Sequence, residues 1–95
     1  MIYVVYLSNE SPSRIASDLT CAGCTVWEAT SVSEVLYLCE HDQVDAVVIG
    51  PDVDDQEFIE RQLRQITLKL TERTRSADVI WELSNLFGSK SPTIQ

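Results

Sequence analysis

Val44-Asp45-Ala46-Val47-Val48-Ile49-Gly50-Pro51 decides the fold. Ala46 to Ile49 leave no polar face, and three of these four residues are β-branched, so the segment reads as a strand covered on both sides, as in a parallel sheet between helices. Gly50-Pro51 stops it. Working outward, Met1-Ile2-Tyr3-Val4-Val5-Tyr6-Leu7 is a second run of this kind. Between the two runs, Ser11 or Ser13 can cap a helix, Pro12 suits its first turn, and Ile15, Ala16, Leu19 and Ala22 recur at helical spacing until Gly23. Cys24-Thr25-Val26-Trp27-Glu28-Ala29 alternates partly and carries β-formers, which predicts a strand. Ser31 or Ser33 then restarts a helix whose apolar face is Val32, Val35, Leu36, Leu38 and Cys39. Three strands separated by two helices make two consecutive βαβ units, and right-handed crossovers make their sheet parallel.

Downstream of Pro51, Asp52 to Asp55 can cap a helix with Phe58, Ile59, Leu63 and Ile66 on its apolar face, supported by Glu57/Arg61 and Glu60/Arg64 pairs. Ile66-Thr67-Leu68-Lys69-Leu70-Thr71 alternates as an edge strand does, yet Ile59, Leu63, Ile66 and Leu70 also share one helical stripe. A fourth strand and a single long helix both remain open. Ser76 caps a last helix carrying Val79, Ile80, Leu83, Leu86 and Phe87, with Gly88 as its stop and a polar tail over 89–95. Residues 1–88 thus form one domain.

The 95 residues suffice for a single small core, and a 44 % hydrophobic share with seven aromatic side chains argues against disorder. Fifteen acids against seven bases give a net charge of -8, which repels a phosphate backbone, so no nucleic-acid partner is expected. Arg61, Arg64, Lys69, Arg73 and Arg75 cluster, but Glu57, Glu60, Glu72 and Asp78 are interleaved with them, the pattern of a solvated surface. No apolar run reaches the roughly 18 residues that span a bilayer, and the first run lacks the flanks of a secretion signal, so a cytoplasmic chain without a membrane partner is expected. Three cysteines, an odd number, fit reduced thiols.

From Leu19 to Leu36 the sequence reads L-x-x-x-G-C-x-V-x-x-A-x-S-x-x-E-V-L, and Asp45-Ala46-Val47-Val48-Ile49 follows as the third strand. This span resembles the first-helix to third-strand region of response-regulator receivers. The resemblance implies a flavodoxin-like α/β three-layer sandwich, here with a shortened parallel sheet of three or four strands in the order 2-1-3-4. In that family an aspartate at the end of strand three accepts a phosphoryl group beside a magnesium ion held by an acidic pair after strand one. Here Gly50 stands at the acceptor position, and the pair falls on Leu7 and Ser8 or on Ser8 and Asn9, none of them a carboxylate. Glu10 and Asp52 are the nearest acids. Thr71 aligns with the hydroxyl residue that ends strand four, while the fifth strand and its lysine have no counterpart.

Other chemistry is thinly supported. Cys21-Ala22-Gly23-Cys24 has the spacing of a thiol redox pair or half a zinc site, but it straddles a helix end, where the dipole raises a thiol pKa, and no second ligand pair follows. His41, beside Glu40 and Asp42, suits a solvated helix terminus. Asp52-Val53-Asp54-Asp55 lacks the glycine and distal glutamate of a calcium loop, and reads better as an acidic cap. The sequence therefore points to a non-enzymatic, phosphorylation-independent interaction or dimerisation module of bacterial-type signalling, needing no cofactor. A thiol or zinc-responsive module using Cys21 and Cys24 is the alternative. Leu68, Leu70 and Trp81 are the expected contact residues, because the missing fifth strand leaves an open edge for a protein partner or a second copy.

Overall fold

A computed structural model describes residues 2–10 and 13–88. Ser11, Pro12 and the polar tail lie outside the described residues. The elements alternate as β1 (Tyr3–Leu7), α1 (Arg14–Cys21), β2 (Thr25–Ala29), α2 (Val32–His41), β3 (Ala46–Ile49), α3 (Gln56–Arg61), β4 (Ile66–Lys69) and α4 (Ser76–Leu86). All strand pairs are parallel and the order is β2-β1-β3-β4, a shortened flavodoxin-like α/β fold.

The two apolar runs take the two central positions, where both faces need cover: Val4, Val5 and all four residues of β3 are fully buried. Alternation along the strands then sorts the core into two layers. Val4, Tyr6, Ala46 and Val48 face α1 and α4 with Ala16, Leu19, Val79 and Leu83. Val5, Leu7, Val47 and Ile49 face α2 and α3 with Val35 and Ile59. No helix among the described residues is long and apolar enough to cross a membrane.

Local signals set most boundaries. Ser13 caps α1 by accepting from the Ala16 N–H, and Gly23 takes the left-handed conformation after it at φ 103°. Ser31 caps α2 through the Glu34 N–H, and the Glu34 carboxylate reaches back to the Thr30 N–H at 3.0 Å, nearly closing a capping box.

The segment after Pro51 settles one open alternative and departs from expectation in three ways. The helix and strand alternatives resolve in favour of the strand: α3 ends at Arg61, and β4 pairs with β3 from Ala46↔Ile66 to Ile49↔Lys69. Phe58 is 63 % exposed because a helix of six residues buries only the Ile59 direction. With Arg64 beyond the helix, Glu60 pairs with Lys69 across to β4 at 2.8 Å. Asp55 occupies the cap position in a left-handed conformation without a side-chain hydrogen bond, so the acidic run does not cap α3 through its carboxylates. The last helix likewise starts differently. Arg75 is the cap residue, its N–H donating to Asp78, while the Ser76 hydroxyl donates to Asp18 and ties α4 to α1.

Candidate functional site

The sheet order reverses between β1 and β3, and in open α/β sheets the crevice at the carboxyl ends of such strands is where ligands sit. A cleft of about 550 Å³ opens there, bordered by Tyr6, Ser8, Glu10, Arg14, Asp52 and Glu72 among others. Gly50 precedes Pro51 and Asp52 of this border, and its N–H donates to the Leu7 carbonyl at 2.7 Å.

Gly50 has no space for a side chain. A Cβ there would lie 2.8 Å from Asp52 Oδ1, 2.9 Å from the Tyr6 hydroxyl and 3.1 Å from the Leu7 carbonyl oxygen. The Asp52 carboxylate can swing away, but Tyr6 is 2 % exposed and the Leu7 carbonyl belongs to β1. The volume that an aspartate would occupy at the end of β3 is thus taken by a phenol.

Asp52 is held beside Gly50 by Ser8 and Asn9. The Ser8 hydroxyl donates to both Asp52 carboxylate oxygens at 3.2 Å. The Asn9 N–H donates to Oδ2 at 2.8 Å, and the Asn9 side-chain amide donates to the Asp52 carbonyl at 3.1 Å. Ser8 also accepts from the Glu10 N–H at 3.0 Å, which fixes the chain as it leaves β1. Ser8 and Asn9 therefore latch the loop after β3 to the end of β1. Both residues present donors, and the Asp52 carboxylate is engaged as their acceptor. Among the described residues, no group of three or more His, Cys, Asp or Glu side chains is arranged to hold a metal ion.

Burial raises the Tyr6 pKa, the Ser13 side chain works against that rise, and the Asp52, Glu10 and Glu28 carboxylates add to it, so the phenol stays a neutral plug. Gln56, the first residue of α3, closes the neighbouring gap: its amide donates to the Gly50 carbonyl at 2.9 Å and to the Leu70 carbonyl at 3.0 Å. Two carbonyls that end β3 and β4 are satisfied by that single side chain.

Thr71 lies past β4, exposed, and its groups fold back on the next turn. Its N–H donates to the Thr74 hydroxyl at 2.9 Å, and its own hydroxyl accepts from the Arg73 N–H at 3.3 Å. Of the expected contact residues, Leu70 is 5 % exposed and belongs to the core, because its side chain turns toward α1 and α4. It is therefore not a surface residue. Leu68 is half-buried at the β4 edge, and Trp81 is 64 % exposed on α4. Cys21 is exposed, Cys24 is half-buried against the α1 and α4 core layer, and both are free thiols. Burial raises the Cys24 pKa, which lowers its thiolate fraction.

The motif positions Ser8, Asn9 and Gly50 thus come together, and Thr71 stays apart from their network. Sequence reasoning missed Tyr6, Gln56 and the latching role of Asp52. A tyrosine between Val5 and Leu7 in the apolar run of β1 was a signal for the first, since a buried phenol must find a polar partner. Comparison of the chain with protein-family models, with curated proteins and with solved structures found no match.

Proposed function

We propose that this chain is a receiver-like interaction module that works without phosphorylation and signals by binding a protein partner or a second copy of itself. The observation that carries this reading is the plug at Gly50: the Tyr6 hydroxyl and Asp52 occupy the space an acceptor aspartate would need. Two further features support it. Ser8 and Asn9 spend their hydrogen bonds on Asp52, so the loop after β3 is clamped rather than free to rearrange around a phosphoryl group. The β4 strand pairs with β3 on one side only among the described residues, which leaves backbone donors and acceptors for a partner.

The test is chemical. The protein is incubated with acetyl phosphate and magnesium and its intact mass is followed, with beryllofluoride binding measured in parallel. The expected result is an unchanged mass and no magnesium-dependent beryllofluoride binding. A phosphoryl adduct on Asp52, Glu10 or any neighbouring side chain overturns the reading.

A further inference from the structure

The edge of β4 that no strand among the described residues pairs with has a pattern that matches itself. The Leu70 N–H donates to the Ile49 carbonyl at 3.0 Å, and β4 runs in register with β3. In a parallel ladder the backbone groups of alternate residues turn to opposite sides. Ile66 and Leu68 therefore turn their N–H and C=O groups inward to β3, and Thr67 and Lys69 turn theirs outward. The Gln65 carbonyl, just before β4, accepts the Thr67 hydroxyl at 3.2 Å. Side chains follow the second alternation. Leu68 and Leu70 join the layer under α1 and α4, so Ile66 shares their face, and Thr67 and Lys69 lie on the α3 face.

We infer that β4 pairs with β4 of a second copy, antiparallel and centred on Thr67, to make one continuous eight-stranded sheet. Parity narrows the register and burial selects it. A two-fold axis perpendicular to the sheet keeps each face common to both copies, so directly opposed residues must share a face, and the axis must pass through a residue. Centred on Thr67, residues 65, 67 and 69 fall opposite residues 69, 67 and 65, the arrangement in which opposed residues exchange both hydrogen bonds. On one face Ile66, which is 42 % exposed, lies opposite Leu68, and the two cover each other. On the other face Thr67 meets Thr67 and Gln65 meets Lys69, so no like charges are opposed. Moving the axis to Leu68 would set Ile66 against Leu70, which is already buried and has nothing to offer.

Edge lysines ordinarily blunt such pairing. Lys69 is held back by Glu60 at 2.8 Å, so its charge is tied down on the α3 face instead of projecting over the edge. The contact is short and falls at the small end of specific interfaces, below about 1,200 Å², which makes the dimer a weak, concentration-dependent one. The inference rests on the interaction-module reading and names the partner of that module as a second copy of this chain.

The test uses the one residue that meets itself. Wild type and the variants Thr67→Glu and Thr67→Lys are studied by sedimentation equilibrium across a wide concentration range, with circular dichroism to confirm that each is folded. Wild type is expected to show a monomer–dimer equilibrium, each charged variant alone to shift at least tenfold toward monomer, and an equimolar mixture of the two to recover dimer. Thr67→Pro removes an outward N–H without touching the β3 ladder, and is expected to stay folded and monomeric. A wild type that remains monomeric at the highest concentration overturns the inference, as does a dimer that tolerates Thr67→Glu and Thr67→Lys equally. Either result leaves the phosphodonor test untouched, and a phosphoryl adduct would overturn the functional reading while leaving the dimer standing.

Discussion

A single hydroxyl decides what position 50 can be. Because a Cβ at Gly50 would meet the Tyr6 hydroxyl at 2.9 Å, Gly50→Ala should destabilise the fold by roughly 1–3 kcal/mol, the range for overpacking. If the phenol is the obstacle, the same substitution on a Tyr6→Phe background should cost measurably less. Urea unfolding of the four proteins in this cycle checks it, and strictly additive costs would show that Tyr6 is not the obstacle. Tyr6 also carries a pH signature. Burial, reinforced by nearby carboxylates, raises its folded pKa above the ordinary tyrosine value, so the folded state holds the proton more tightly than the unfolded chain. The tyrosine contribution to stability is therefore intact below about pH 10 and falls as pH rises from there through the folded value. Tyr6→Phe should remove that slope from the alkaline unfolding profile. None of this chemistry was legible from spacing alone. Asp52 and Gln56 bond to strand ends far from them in sequence, and nothing in Asp52-Val53-Asp54-Asp55 distinguishes a latch from a cap.

Elements were legible where one local signal dominated. Of the two serines that can restart α2, Ser31 is its cap, and the structure shows the Ser31 and Glu34 side chains both satisfying backbone N–H groups there. Ser31→Ala should cost about 1 kcal/mol. The Glu34 pKa is lowered, chiefly by the Thr30 N–H and then by the Thr30 hydroxyl. Its contribution is therefore present above the ordinary glutamate pKa and lost as pH falls through the folded value. Glu34→Gln, which keeps an acceptor but cannot titrate, should flatten that part of the acid limb in thermal melts recorded from pH 6 to 3. An unchanged acid limb would remove Glu34 from the cap. The 56–70 region was ambiguous because Ile59, Leu63, Ile66 and Leu70 satisfy a helical stripe while Ile66 to Leu70 satisfy a strand alternation. The choice between them is made by β3, whose Ile49 carbonyl needs a donor and finds the Leu70 N–H.

At the scale of the whole molecule, the βα alternation made the parallel sheet readable and the two apolar runs marked its centre, since strands without a polar face have nowhere else to sit; the full order 2-1-3-4 was an expectation from the resemblance to receivers. Which helix covers which face was not readable, because an amphipathic stripe shows that a helix packs but not against what. The structure assigns α4 to the same face as α1, with Leu83 fully buried between them and Trp81 turned to solvent on the same helix. That arrangement predicts a sharp contrast between two large apolar residues only two positions apart. Leu83→Ala should cost roughly 2–5 kcal/mol by leaving a cavity in the α1 and α4 layer. For a domain of this size each kcal/mol is worth about 4–8 °C, so its melting temperature should fall by at least about 8 °C. Trp81→Ala, at a site 64 % exposed, should stay within about 0.5 kcal/mol of wild type. Calorimetry of both variants, run dilute so that self-association does not enter, decides the matter: comparable losses would mean that α4 is rotated on the sheet, with its tryptophan turned inward.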